Sequence, residues 1–125
     1  MDVEFKTSKL KKCYESQRKA VQEWGQEVGT RYIERVNLLK AIEQLDDLQS
    51  FPHLRYHMLK GDREGQHAIR LTGFMRLIFT VETRRIEPEE RALEQPQGEA
   101  PKADAQKQIA RIEIIRIEEV SKHYD

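Results

Sequence analysis

The apolar residues change their spacing once along the chain, and that change sets the class of fold. From Val21 to Leu45 they step by three or four: Val21, Trp24, Val28, Tyr32, Val36, Leu39, Ile42 and Leu45. Such spacing makes one continuous stripe on a helix. From residue 53 the period becomes two. Leu54–Met58 reads as a strand with Tyr56 and Met58 inward and His57 outward. His67–Leu71 reads as a second strand, Thr72-Gly73 as a tight turn and Arg76–Val81 as a third strand. A helical half followed by a strand half predicts an α+β domain.

The flanking segments fit that plan. Val3 and Phe5 alternate with Glu4 and Lys6, as in a short strand with one buried face. Thr7-Ser8 can cap a brief helix, Lys9 to Glu15, in which Leu10, Cys13 and Tyr14 share a side. Within the longer helical stretch, Gly25 and Gly29 are weak points. A division is expected at Gly29-Thr30, with Thr30 capping the second half, and Asp46-Asp47, Ser50 and Pro52 end the stretch. The expected architecture is an N-terminal strand and two helices packed on one face of a small antiparallel sheet.

Residues 84–108 lose all periodicity and hold three of the four prolines, Pro88, Pro96 and Pro101. Across 81–105, seven acids (Glu82, Glu87, Glu89, Glu90, Glu94, Glu99, Asp104) stand against four bases (Arg84, Arg85, Arg91, Lys102), net −3. This reads as a mobile acidic insertion at about 84–108 within a single domain spanning 1–125. Five isoleucines, Ile109, Ile112, Ile114, Ile115 and Ile117, then mark a last strand. Ile112 and Ile114 have one parity and Ile115 and Ile117 the other, so that strand is bulged or covered on both faces.

Composition narrows the function. The 125 residues carry 22 Lys+Arg and 22 Asp+Glu, a net charge of zero. A neutral chain does not coat nucleic acid or an anionic membrane indiscriminately, so any anion binding must come from local clustering. No apolar run approaches the ~18 residues of a membrane span. The opening Met1-Asp2-Val3-Glu4-Phe5-Lys6 lacks the order of a secretory signal, and Cys13 is the single cysteine. These features predict a cytoplasmic protein without a disulfide framework, and no metal or cofactor is expected.

The clustering exists. Residues 53–80 hold five bases (Arg55, Lys60, Arg63, Arg70, Arg76) and two acids (Asp62, Glu64), net +3, with His53, His57 and His67. Parity then sorts the side chains, because a one-residue slip turns every one of them over. With Ile69, Leu71, Leu77, Phe79 and Val81 inward, Arg70 and Arg76 lie together on the opposite face beside His57. Lys60 and Arg63 sit in the preceding loop. His67 has inward parity and is expected in the core. The bland reading is a solvated face, with Arg63 paired to Asp62 or Glu64. The sharper one is an anion site whose guanidinium forks hold phosphate.

The stretch His57-Met58-Leu59-Lys60-Gly61-Asp62-Arg63-Glu64-Gly65-Gln66, followed by Gly73-Phe74-Met75-Arg76-Leu77-Ile78-Phe79, resembles the HigB branch of the RelE/ParE toxins, the plasmid-maintenance killer proteins. That family has a His-x-Leu-Lys-Gly-Asp-Arg loop and then a strand opening on aromatic-Arg-(Leu/Ile)-x-Phe. It closes on Asp-Tyr-His, whereas here the sequence reads Lys122-His123-Tyr124-Asp125, with aromatic and imidazole reversed. The resemblance implies a RelE-like fold and a toxin of a type II toxin–antitoxin pair. Such a toxin is a metal-free endoribonuclease that cleaves mRNA on the ribosome. Its partner is a helix-turn-helix antitoxin that also binds DNA. ParE-type relatives inhibit DNA gyrase instead, and a catalytically degenerate relative that only binds its antitoxin is a third possibility.

Metal-free RNA cleavage needs a base for the ribose 2′-OH, an acid for the leaving oxygen and fixed positive charge at the phosphate. The resemblance assigns Arg76 to the phosphate, with Lys60 and Arg63 as electrostatic partners. Arg70 and His57 would contact the RNA backbone. Proton transfer falls to His123 or Tyr124.

Overall fold

Gly25, not Gly29, divides the long helical stretch. A computed structural model describes residues 1–85 and 111–122. The chain runs β1 (Asp2–Phe5), α1 (Ser8–Glu15), α2 (Gln17–Trp24), α3 (Gln26–Ala41), β2 (His57–Met58), β3 (Gln66–Thr72), β4 (Met75–Arg85) and β5 (Arg111–Lys122). Three single 3₁₀ turns, Leu45–Ser50, Pro52–Leu54 and Gly61–Arg63, link the middle elements.

Each helix boundary has a local cause. The Thr7 and Ser16 side chains accept from the backbone N–H groups of Leu10 and Lys19, capping α1 and α2. Gly25 takes φ +91°, a conformation that other residues rarely adopt, and so ends α2 and starts α3. Gly29 lies buried inside α3 for a different reason. A Cβ there would stand 2.7 Å from the Ala20 carbonyl carbon of α2. The glycine lets two helix backbones touch. Thr30 is therefore mid-helix, where its Oγ1 accepts from Gln17 and Gln26 side chains.

The predicted strand Leu54–Met58 shrinks to two residues. Leu54 closes a 3₁₀ turn, and Arg55 follows with φ 50°, which breaks the extended run. Met58 is consequently 66% exposed rather than inward, since β2 is a short edge strand with nothing beyond it. Tyr56 does turn inward, where its ring stacks on His67.

The sheet order is β1-β5-β4-β3-β2. β2–β3 and β3–β4 are antiparallel, whereas β1 joins β5 in parallel, with Val3 opposite Ile115 and Phe5 opposite Ile117. The helices cover one face. Tyr32, Val36 and Leu39 of α3 pack with Ile69, Leu77, Phe79, Ile115 and Ile117, all fully buried. Burying each large apolar side chain contributes roughly 1.5–3 kcal/mol of transfer free energy. The Tyr32 hydroxyl donates to the Leu10 carbonyl at 2.8 Å, tying α3 to α1. Trp24 packs against Tyr32 with the rings tilted and 4.6 Å between their centres, a core role. Cys13 is buried beside them, and desolvation pushes its thiol up from the ordinary value.

The other face has a smaller apolar cluster of Leu59, Ala68 and Ile78. Ile114 and Ile115, of opposite parity, are both buried, so β5 is covered on both sides. The chain divides into two compact units. Met1–Glu82 with Ile114–Asp125 carry the helices and the core. Thr83–Glu113 form the second, of which residues 83–85 and 111–113 are described, as the ends of β4 and β5. The acidic insertion expected at about 84–108 falls mostly on 86–110, outside the described residues. Among the described residues no helix is long and apolar enough to cross a membrane.

Candidate functional site

The sheet register places Arg70 directly opposite Arg76. In an antiparallel pair, opposed residues project to the same side with Cα atoms about 4.5–5.5 Å apart. Two like charges so placed repel. The structure relieves this by engaging the two groups differently. Arg76 folds over its own turn, where Nη1 donates to the Gly73 carbonyl at 2.8 Å and the Met75 carbonyl at 3.1 Å. Gly73, at φ +53°, allows that tight turn. Arg76 is only 4% exposed. It is a fixed, sheltered cation.

Arg70 is half-buried, and its guanidinium has no hydrogen-bond or ion-pair partner among the described residues. Its surroundings follow from the shortness of β2. Pairing with β2 covers only His67 and Ala68, so β3 has an unpaired edge from Arg70 onward. α3 supplies the missing donor: Arg35 Nε donates to the Arg70 carbonyl at 3.1 Å. Arg35, Arg31, Glu27, His53, Arg70 and Thr72 line a cleft of about 330 Å³ with Leu71. Burial, and then the neighbouring Arg31 and Arg70 charges, lower the Arg35 pKa against the opposing pull of Glu34.

His57 pairs with Ala68, two residues along β3 from Arg70, on the same face. Its Nδ1 lies 2.9 Å from the Arg55 carbonyl. A carbonyl can only accept, so in this hydrogen bond Nδ1 carries the proton. A histidine thus stands one step from two arginines.

The loop residues lie elsewhere. Arg63 donates to Gln66 Oε1 at 3.1 Å and Glu119 Oε2 at 3.0 Å. Its ion partner is Glu119 of β5, not Asp62 or Glu64. Gln66 is four residues from Arg70 along β3, about 13 Å at ~3.3 Å per residue. Lys60 is exposed at the start of the Gly61–Arg63 turn. The sequence-predicted set therefore splits into Arg70, Arg76 and His57 at one end and Lys60 and Arg63 at the other. His123 and Tyr124 lie outside the described residues. His67 is a core residue, its ring parallel to and in contact with both Tyr56 and Phe79, with Nδ1 2.9 Å from the Tyr56 hydroxyl; burial lowers its pKa.

No family model matches the chain, and no curated protein matches it. Among solved structures it is similar to a YoeB/ParE toxin from Agrobacterium tumefaciens, with a TM-score of 0.47 and 17% identity over 99% of this chain and 100% of that one.

Sequence reasoning missed Arg31, Arg35 and His53. The signal available was the i,i+4 spacing of Arg31 and Arg35, a like-charge pair that disfavours an isolated helix and so calls for a reason. Chemically, the arrangement offers guanidinium forks, a fixed cation and one imidazole base. It is suited to holding a phosphodiester.

Proposed function

We propose that the chain is the toxin of a type II toxin–antitoxin pair and an endoribonuclease that cleaves mRNA without a metal, on the ribosome. The observation that carries this is the Arg70–Arg76 cross-strand pair with His57 two residues along the same face. The resemblance of the His57–Gln66 loop and the Arg76 strand to HigB toxins supports it. The whole of 1–125 is read as one such domain, neutralised by a helix-turn-helix antitoxin.

The division of labour follows from burial. Arg70 makes the direct contact to phosphate, since its guanidinium is unengaged among the described residues. Arg76 acts behind it as a held charge, which is worth more in a sheltered site than in water. His57 Nε2 takes the 2′-OH proton, and the alkoxide attacks the adjacent phosphorus. The P–O5′ bond breaks, leaving a 2′,3′-cyclic phosphate, and the leaving oxygen receives a proton from His123 or Tyr124. Lys60 and Arg63 steer RNA from the far end of β3.

Primer extension on cellular mRNA after induction tests this: discrete cuts within reading frames are expected, and they vanish in Arg70→Ala. One observation favours a second reading. Arg76, the residue matching the family's strand arginine, is 4% exposed and bonded to its own turn. That suits a chain that binds without cutting, either a gyrase inhibitor of ParE type or an antitoxin-binding relative. DNA damage without mRNA cuts would identify the former, and absence of growth arrest the latter.

A further inference from the structure

We infer that the cleft between α3 and the free edge of β3 is a second phosphate site, taking a backbone phosphate of single-stranded RNA on Arg31, Arg35 and Arg70 with the neighbouring base on His53. The inference rests on the RNA reading above and extends it to residues on a helix.

Three guanidinium groups line one cleft of about 330 Å³, against the single carboxylate of Glu27. Arg31 is held by Glu34 at 3.0 Å, and Glu34 also stands 4.0 Å from Arg35. Counting Glu34 as well, three positive charges face two negative ones, an excess that a phosphodiester monoanion cancels. Arg35 is pre-positioned. Its side chain is 13% exposed and its Nε is spent on the Arg70 carbonyl, which aims the two terminal nitrogens. An ordered fork loses little freedom when it grips an oxyanion. Packing like charges together raises the energy of the empty cleft, and an arriving anion relieves it.

The cleft fits a nucleotide better than an acidic protein segment. Protein segments dock through apolar anchors, and here the apolar wall is Leu71, itself 3% exposed. The rim does offer a flat ring. His53 is exposed, its ring perpendicular to Phe51 with centres 6.2 Å apart, and an unstacked base can rest on an exposed imidazole. Arg70 belongs both to this cleft and to the cross-strand pair with Arg76, so a strand bound here continues onto the proposed cleavage face.

The test measures fluorescence anisotropy of a short single-stranded RNA with 2′-O-methyl riboses, which cannot be cut, over a range of salt with the full chain. Arg31 is exposed, so Arg31→Gln and Arg31→Glu are expected to fold as wild type, checked by thermal melting. Arg31→Gln should bind about tenfold more weakly, the size of one charge-assisted contact. The slope of log affinity on log salt should shrink by about 0.7. Arg31→Glu should bind more weakly still, and His53→Ala should lose affinity without changing the slope. Lys11→Gln, an exposed base on α1, should change neither. Wild-type affinity and slope in Arg31→Glu overturns the inference, as does failure of the wild-type chain to bind this RNA. So does Arg31-dependent binding of a poly-glutamate peptide or of inorganic phosphate with RNA indifferent to Arg31. The two readings separate cleanly. If cellular mRNA is cut after induction while Arg31→Glu binds normally, the cleft fails and the nuclease stands. If binding depends on Arg31 but induction leaves cellular mRNA intact, the reverse holds.

Discussion

At one end of β3, Arg63 finds a carboxylate at 3.0 Å and an amide oxygen at 3.1 Å. At the other end, Arg70 faces Arg76 across the ladder and shares a cleft with Arg31 and Arg35. Both ends are basic in sequence, and both belong to the stretch with net +3. They differ in what the fold does with the charge. The Arg63 end is balanced and open to water, where an ion pair stabilises little. The Arg70 end holds cations against one another, which lowers stability unless something is gained in return. Charge that is matched reads as architecture, and charge held unmatched reads as a site.

The largest effect that would break this contrast is at Arg70. Arg70→Ala should reduce mRNA cleavage by about 10²-fold or more, the usual loss for one transition-state contact. Thermal melting should show no loss of stability, because the variant relieves a like-charge pair. A marked fall in the melting temperature would make Arg70 a structural residue.

Arg76→Leu should behave in the opposite sense. It removes two hydrogen bonds to turn carbonyls from a buried position and should cost about 1–3 kcal/mol in urea unfolding. Gly29→Ala probes a site remote from both ends and should cost a similar ~1–3 kcal/mol, since the clashing atoms are backbone and cannot swing aside.

His67 lies between the two ends and gives a pH signature. Burial lowers its pKa from the ordinary 6.5, so the unfolded chain binds more protons than the folded one in acid. Stability is full above about pH 6.5 and declines as pH falls through that value toward the lower folded pKa. His67→Phe should flatten that part of the stability–pH curve. The smallest effect belongs to the matched end: Arg63→Gln should change stability by under about 1 kcal/mol, with a double-mutant cycle against Glu119→Gln giving a coupling of that order.

Much of this was legible in the residue order. The period-two runs flanking Gly73 placed Arg70 and Arg76 on one face, because parity leaves no other arrangement once Ile69, Leu77 and Phe79 are buried. The opposite parities of Ile114 and Ile115 left a strand either bulged or covered on both sides, and the burial of both residues gives the second. What could not be read depended on neighbours distant in sequence. Gly29 looked like a helix breaker because nothing local records the backbone of Ala20 pressing on it. Arg63 had acids on both sides in sequence, yet its partner comes from β5. Arg31 and Arg35 carry no local signal beyond their i,i+4 spacing, and only the truncation of β2 makes their side of α3 the wall of a cleft.

The parallel pairing of β1 with β5 carries a consequence for timing. Asp2–Phe5 are translated long before the strand they zip onto, Arg111–Lys122. Until that late segment emerges, the sheet lacks its β5 and the first strand has no ladder to join. A half-made chain therefore cannot complete the scaffold behind its arginines.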